Sequence, residues 1–276
     1  MTIGVDGCYA SALAPPKKAA RAAIIELKPQ WAPQQGDAES EPTAHQTPAF
    51  GMNPTPSAVL QELRSGHECF LSGFSRHPHS SRERMLEVES AQHPIAAVLG
   101  CADSRVPVEL LFDTGFGDLF VVRNAGTMST TAAIASLEYA VAHLAVPAIV
   151  VLGHQRCGAV EAAFHPELQL TPSLAQVVGQ LRMELFGLGA AEDLEEACRL
   201  HALNAARNLV DSSVLLTDRL REGRLQVEAA YYNLHTTQID WLGSVLPNRF
   251  SREAWGAQAP GPEACPISDD GRGQPG

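Results

Sequence analysis

The chain has 276 residues and a formal net charge of -11, from 20 Lys and Arg against 31 Asp and Glu, with 45% hydrophobic residues. That balance excludes a nucleic-acid surface, which needs basic blocks interleaved with aromatics, and no apolar run reaches the roughly 18 residues of a membrane span. The length is enough for one sizeable core with appendages.

Residues 1–54 carry Pro15, Pro16, Pro29, Pro33, Pro42 and Pro48 and an acidic patch at Asp37, Glu39 and Glu41. Such composition predicts a disordered leader, with Ala19 to Leu27 its only helical stretch. From Ser57 to Phe74 apolar residues recur at helical spacing, opened by Pro56 and capped by Thr55. A second helix is expected over Glu83 to Gln92. Ile95 to Gly100 is an unbroken apolar run that predicts a first strand ending at Cys101. Val108 to Phe112 reads as a short helix, Leu119 to Val122 as a second strand and Thr130 to Leu144 as a long helix. Ala148 to Gly153 repeats the pattern of the first strand and ends at His154. Helices are expected from Cys157, over Ser173 to Leu188, and over Leu194 to Leu220. Strands follow at Leu225 to Tyr231 and Ile239 to Leu242. Strands alternating with helices predict an α/β fold around a mostly parallel sheet, in a catalytic domain spanning residues 55–250. Residues 251–276 are rich in Pro and Gly and read as a flexible tail.

Two strand ends carry the chemistry. Cys101-Ala102-Asp103-Ser104-Arg105 closes the first, and His154-Gln155-Arg156-Cys157 closes the third, 49 residues after Arg105. Two thiolates and an imidazole suit Zn²⁺, and three protein ligands leave a coordination position free, as a catalytic rather than a structural zinc requires. Ligand-type residues at the carboxyl ends of two buried strands stand where α/β sheets gather their ligands. Asp103 and Arg105 add a carboxylate that a guanidinium can orient and keep ionised.

CxDSR followed by HxxC, each after an apolar strand, resembles the zinc signature of the β-class carbonic anhydrases. The resemblance spans about residues 55 to 243. It implies that Cys101, His154 and Cys157 bind one Zn²⁺ per chain and that Asp103 and Arg105 form the catalytic dyad. It also implies that Gln92 donates to substrate and that Phe120 and Tyr139 line the cleft. The implied partners are CO2 and bicarbonate, and a second copy of the chain. The first helix would pack across that copy, so that a homodimer or higher homo-oligomer is the complete unit. In one subclass a bicarbonate switch needs a Trp three residues before the first zinc cysteine; here that position is Val98, which favours an open site.

The expected reaction is reversible CO2 hydration, by attack of a zinc-bound hydroxide whose lone pair Asp103 directs. Two thiolates make the zinc a weaker Lewis acid than three imidazoles would, so the water should ionise later than the roughly 7 of a three-His site. CS2 or COS would be attacked by the same route. A structural zinc or binding module needs a fourth ligand and no dyad, and a thiol phosphatase needs five residues between Cys and Arg where there are three. Cys8, Cys69, Cys198 and Cys265 show no paired spacing, so free thiols and a cytoplasmic location are expected. His67, His77, His79, His93, His201 and His235 read as solvated surface, and Arg156 likewise.

Overall fold

The computed structural model describes residues 54–190 and 193–246. The expected leader (all but Pro54), its helix at Ala19 to Leu27 and the tail at 251–276 lie outside these residues. Strands β1 (Ala96–Cys101), β2 (Leu119–Asn124), β3 (Ala148–His154), β4 (Gln226–Tyr232) and β5 (Ile239–Ser244) form one sheet in the order β2-β1-β3-β4-β5. All neighbours pair in parallel except β4 with β5. β1 and β3 are buried at every position, which is why they read as continuous apolar runs rather than alternating ones.

Period-two alternation still decides which layer each side chain joins. Ala97, Leu99, Ile149 and Val151 face helices α4 (Thr131–His143), α7 (Leu194–Asp211) and α8 (Val214–Arg221). Ala96, Val98, Val150 and Leu152 face α1 (Pro56–Leu71) and α3 (Val108–Leu111). Helices α5 (Gly158–Ala163) and α6 (Pro172–Gly187) pack around the carboxyl ends of the strands. Thr55 caps α1 as its sequence suggests, accepting from the Ala58 N–H at 3.3 Å. Val59, Leu60 and Leu63 of α1 are buried against the chain's own sheet. That face is used within the chain, so any contact of α1 with a partner falls to its other side.

Two helices depart from expectation. Helix α2 (Arg82–Glu87) stops well short of Gln92. It buries no side chain, so nothing beyond its own backbone bonds extends it, and Pro94 turns the preceding residues away from helix. The stretch from Leu194 to Leu220 is two helices, not one. Ser213 breaks it: its Oγ accepts from the Leu216 N–H at 3.2 Å and donates to Glu138 on α4. The new N-cap redirects the chain so that Leu216 enters the core fully buried.

Candidate metal centre

β1 and β3 lie side by side, with Gly100 opposite Leu152. From this pair the chain crosses to β2 on one side and to β4 on the other. Such a divergence opens a crevice outside the strands' carboxyl ends. Cys101 ends β1 and His154 ends β3. After His154 the chain turns through Arg156 in a left-handed conformation (φ 54°) and presents Cys157 as the N-cap of α5. The turn, not a helix, thus brings the two cysteines to the same histidine.

The Sγ atoms of Cys101 and Cys157 and a ring nitrogen of His154 all lie within 4.8 Å of one another, and all three residues are buried. The His154 Nδ1 lies 2.9 Å from the Gln155 carbonyl, which can only accept, so Nδ1 carries the proton. Nε2 is left as a bare, buried lone pair with no protein partner. Two thiols this close cannot both ionise unaided. A hydrogen bond from Cys157 holds Cys101 below the ordinary thiol range, against the opposing effect of burial. The same bond, with burial added, pushes Cys157 up. A divalent cation among these atoms would stabilise both thiolates and satisfy Nε2, so the residues present fit Zn²⁺.

Asp103 is fastened to Arg105 through both oxygens. Oδ1 accepts from the Arg105 backbone N–H at 2.9 Å and from Nε at 3.0 Å, and Oδ2 accepts from Nη2 at 2.7 Å. The guanidinium first, then the backbone N–H, hold the Asp103 carboxyl down at about 2. Its Oδ2 stands 4.0 Å from the bare Nε2 of His154. Arg105 also reaches the Arg156 carbonyl at 3.4 Å, tying the two ligand-bearing turns together. Arg156 itself is exposed, as expected.

Gln92, Phe120 and Tyr139 are not brought to this crevice within one chain. Phe120 is in register with Ala97, four residues before the Asn124 that pairs with Cys101, about 13 Å down the strand at 3.3 Å per residue. Gln92 is exposed and precedes the amino end of β1. Tyr139, on α4, packs against Phe120 with ring centroids 6.2 Å apart and the rings tilted by 39°. Phe120 and Tyr139 touch, but, like Gln92, they belong to the other end of the strands.

Other residues escaped the sequence reading. Asn124 closes the turn after β2 with two 2.7 Å bonds to the Met128 backbone. Gly126 in that turn has φ 76°, and its N–H favours the Cys101 thiolate. His201, read as surface, is 3% exposed and bonds the Gly126 carbonyl at 2.6 Å. His67 is also buried, between the Leu111 carbonyl and the Ile239 N–H. Each lies on a polar-looking stretch of sequence, and only tertiary neighbours reveal the burial. His79 is exposed, as expected, and pairs with Asp118 at 2.7 Å. Cys69 and Cys198 are free thiols.

Comparison with known proteins agrees with this geometry. Residues 96–239 match the family model described as carbonic anhydrase. Over 190 residues the chain is 49% identical to carbonic anhydrase 2 of Mycobacterium tuberculosis, covering 66% of this chain and 90% of that protein. It is 34% identical over 182 residues to a carbonic anhydrase of Pseudomonas aeruginosa, covering 61% and 83%. The fold is similar to that of a tetrameric β-carbonic anhydrase from Sordaria macrospora, with a TM-score of 0.53, 25% identity, and 67% of this chain and 97% of that one covered. The chain belongs to the β-class carbonic anhydrase family.

Proposed function

We propose that the chain catalyses the reversible hydration of CO2 to bicarbonate and a proton, with one Zn²⁺ held by Cys101, His154 and Cys157. The observation that carries this is a buried Cys-His-Cys triad whose bare imidazole nitrogen lies 4.0 Å from a carboxylate held ionised by its own arginine. Bound zinc supplies a Lewis acid that lets water ionise near neutral pH. The chain's own residues do the rest. Asp103, ionised and able only to accept, takes a hydrogen bond from the attacking water oxygen and turns its lone pair toward carbon. Arg105 keeps Asp103 ionised and fixes its rotamer through two donors. Both Asp103 oxygens are committed to Arg105, and Val98 is fully buried core, which supports the open rather than the Asp-closed resting site.

We further propose that the working unit is a homodimer or larger. Gln92, Phe120 and Tyr139 reach a metal centre only if a second copy presents them. β2 is an edge of the described sheet, and Tyr139 beside it is exposed, which supports that side as the contact. Gln92 would then donate through its amide to a substrate oxygen. Free Cys69 and Cys198 support a reducing, cytoplasmic setting. Among the described residues no helix is long and apolar enough to cross a membrane.

Replacing Asp103 by Asn tests the roles. It should lower kcat for hydration at least about 100-fold, the usual loss for a positioned proton acceptor, with zinc content unchanged. Wild-type turnover in Asp103→Asn would remove Asp103 from the mechanism.

A further inference from the structure

We propose that Arg123 is a positioning residue for this centre: a guanidinium clamp on the turn that carries Cys101, Asp103 and Arg105. Arg123 stands on β2 opposite Gly100. Its Nε donates to the Cys101 carbonyl at 2.8 Å, and its Nη2 donates to the Asp103 carbonyl at 2.6 Å. Among the described residues it makes no ion pair with a carboxylate. In a chain with net charge -11, a cation committed to two backbone carbonyls is fixing geometry rather than neutralising an acid.

The geometry it fixes is that of the metal centre. β1 ends at Cys101, and sheet pairing beyond it is reduced to one bond, from the Ala102 N–H to the Asn124 carbonyl at 2.9 Å. Residues 103–105 have no strand to hold them. The Asp103 carbonyl accepts from the Val106 N–H at 3.1 Å, which closes the turn on itself but anchors it to nothing else. Beside the 3.4 Å bond from Arg105 to the Arg156 carbonyl, Arg123 supplies the shorter anchor, gripping the turn at the metal ligand and at the carboxylate two residues on. The planar fork is what allows one side chain to hold both carbonyls. Lysine, a point donor on a flexible stem, can hold one well. Loss of the clamp would free the Cys101 carbonyl, shifting that ligand slightly within its strand, while the Asp103–Arg105 pair drifts further as a unit. Zinc affinity should therefore suffer less than the alignment of Asp103.

The clamp rests on the proposed hydration only for its kinetic readout, so a second, activity-independent readout is needed. The full-length Arg123→Ala, Arg123→Lys and wild-type proteins would be loaded with Co²⁺ for visible absorption, and with Zn²⁺ for metal content and hydration kinetics. Arg123→Ala should keep near-stoichiometric metal, lose kcat by about 10- to 100-fold as outer-shell variants do, and show an altered cobalt spectrum. Arg123→Lys should fall between. Added guanidinium, far below denaturing concentration, should restore both spectrum and kcat in Arg123→Ala, where urea does not. Arg123→Ala with a wild-type cobalt spectrum would overturn the clamp. So would losses that guanidinium cannot rescue and that track a lowered melting temperature. Should the wild type fail to hydrate CO2, the activity reading falls alone, and the cobalt spectra still decide on Arg123.

Discussion

Asp103 and His154 set the centre as two acceptors. Asp103 is held ionised by Arg105, at about 2, while His154 donates Nδ1–H to the Gln155 carbonyl and so turns Nε2 toward the cysteines. A carboxyl with a depressed folded pKa contributes stability that is fully present above its unfolded value near 3.9 and is lost as pH falls toward 2. Asp103 therefore stays charged through the neutral range, and any rise of activity above pH 6 comes from the attacking water. The ligand set makes a separate prediction. A metal bound only by the folded state stabilises it by mass action. A strong chelator should therefore lower the melting temperature of the wild type, while His154→Ala should contain little zinc and melt at the same temperature with or without chelator. An equal chelator-induced drop in His154→Ala would place the metal elsewhere.

At the level of elements, close approach and buried histidine matter most. A Cβ added at Gly66 on α1 would lie 1.9 Å from the backbone oxygen of Phe112, beyond α3. Backbone cannot step aside, so Gly66→Ala should cost about 3 kcal/mol or more in urea unfolding, the upper range of overpacking. A wild-type midpoint would mean that α1 is free to move off α3. His67 joins the same elements. Its Nδ1–H donates to the Leu111 carbonyl at 2.9 Å, and Nε2 accepts from the Ile239 N–H at 3.1 Å, so only the neutral ring satisfies both. Burial lowers its pKa, and burial does the same for His201. For such a group the unfolded chain binds the extra proton first. Stability is then constant above about 6.5 and falls as pH drops through that value, by at most about 1.4 kcal/mol per pH unit per histidine. His67→Gln, which cannot titrate, should show a shallower loss of melting temperature between pH 7.5 and 5.5 than the wild type. An identical loss would assign the acid lability to other groups.

The same elements show what could be read from sequence. β1 and β3 were legible because both faces are buried, which writes an unbroken apolar run ending at a ligand. Cys101, His154 and Cys157 were legible because their residue types and their place at strand ends agree. The break at Ser213 was not, since its cause is Glu138 on a distant helix. His67 and His201 sit on helices of mixed polarity, where burial is decided by partners far along the chain. Nothing in the sequence around Arg123 says which carbonyls it holds; only the fold shows that.

For the whole molecule, the switch point of the sheet explains why one chain gathers Cys101, His154 and Cys157 but not Gln92, Phe120 or Tyr139, which the proposed reaction also assigns to the site. The crevice collects the residues that follow β1 and β3. Gln92 and Phe120, which precede or begin their strands, are carried away from it by the parallel direction of the sheet. The proposed second copy would supply them. The most direct test of the account is stopped-flow CO2 hydration on the purified chain from about pH 6.5 to 9, with zinc determined on the same sample. Close to one zinc per chain is expected, with a hydration rate that rises with pH as the attacking water ionises. A folded protein without zinc, or one with stoichiometric zinc and no hydration at any pH, would contradict it.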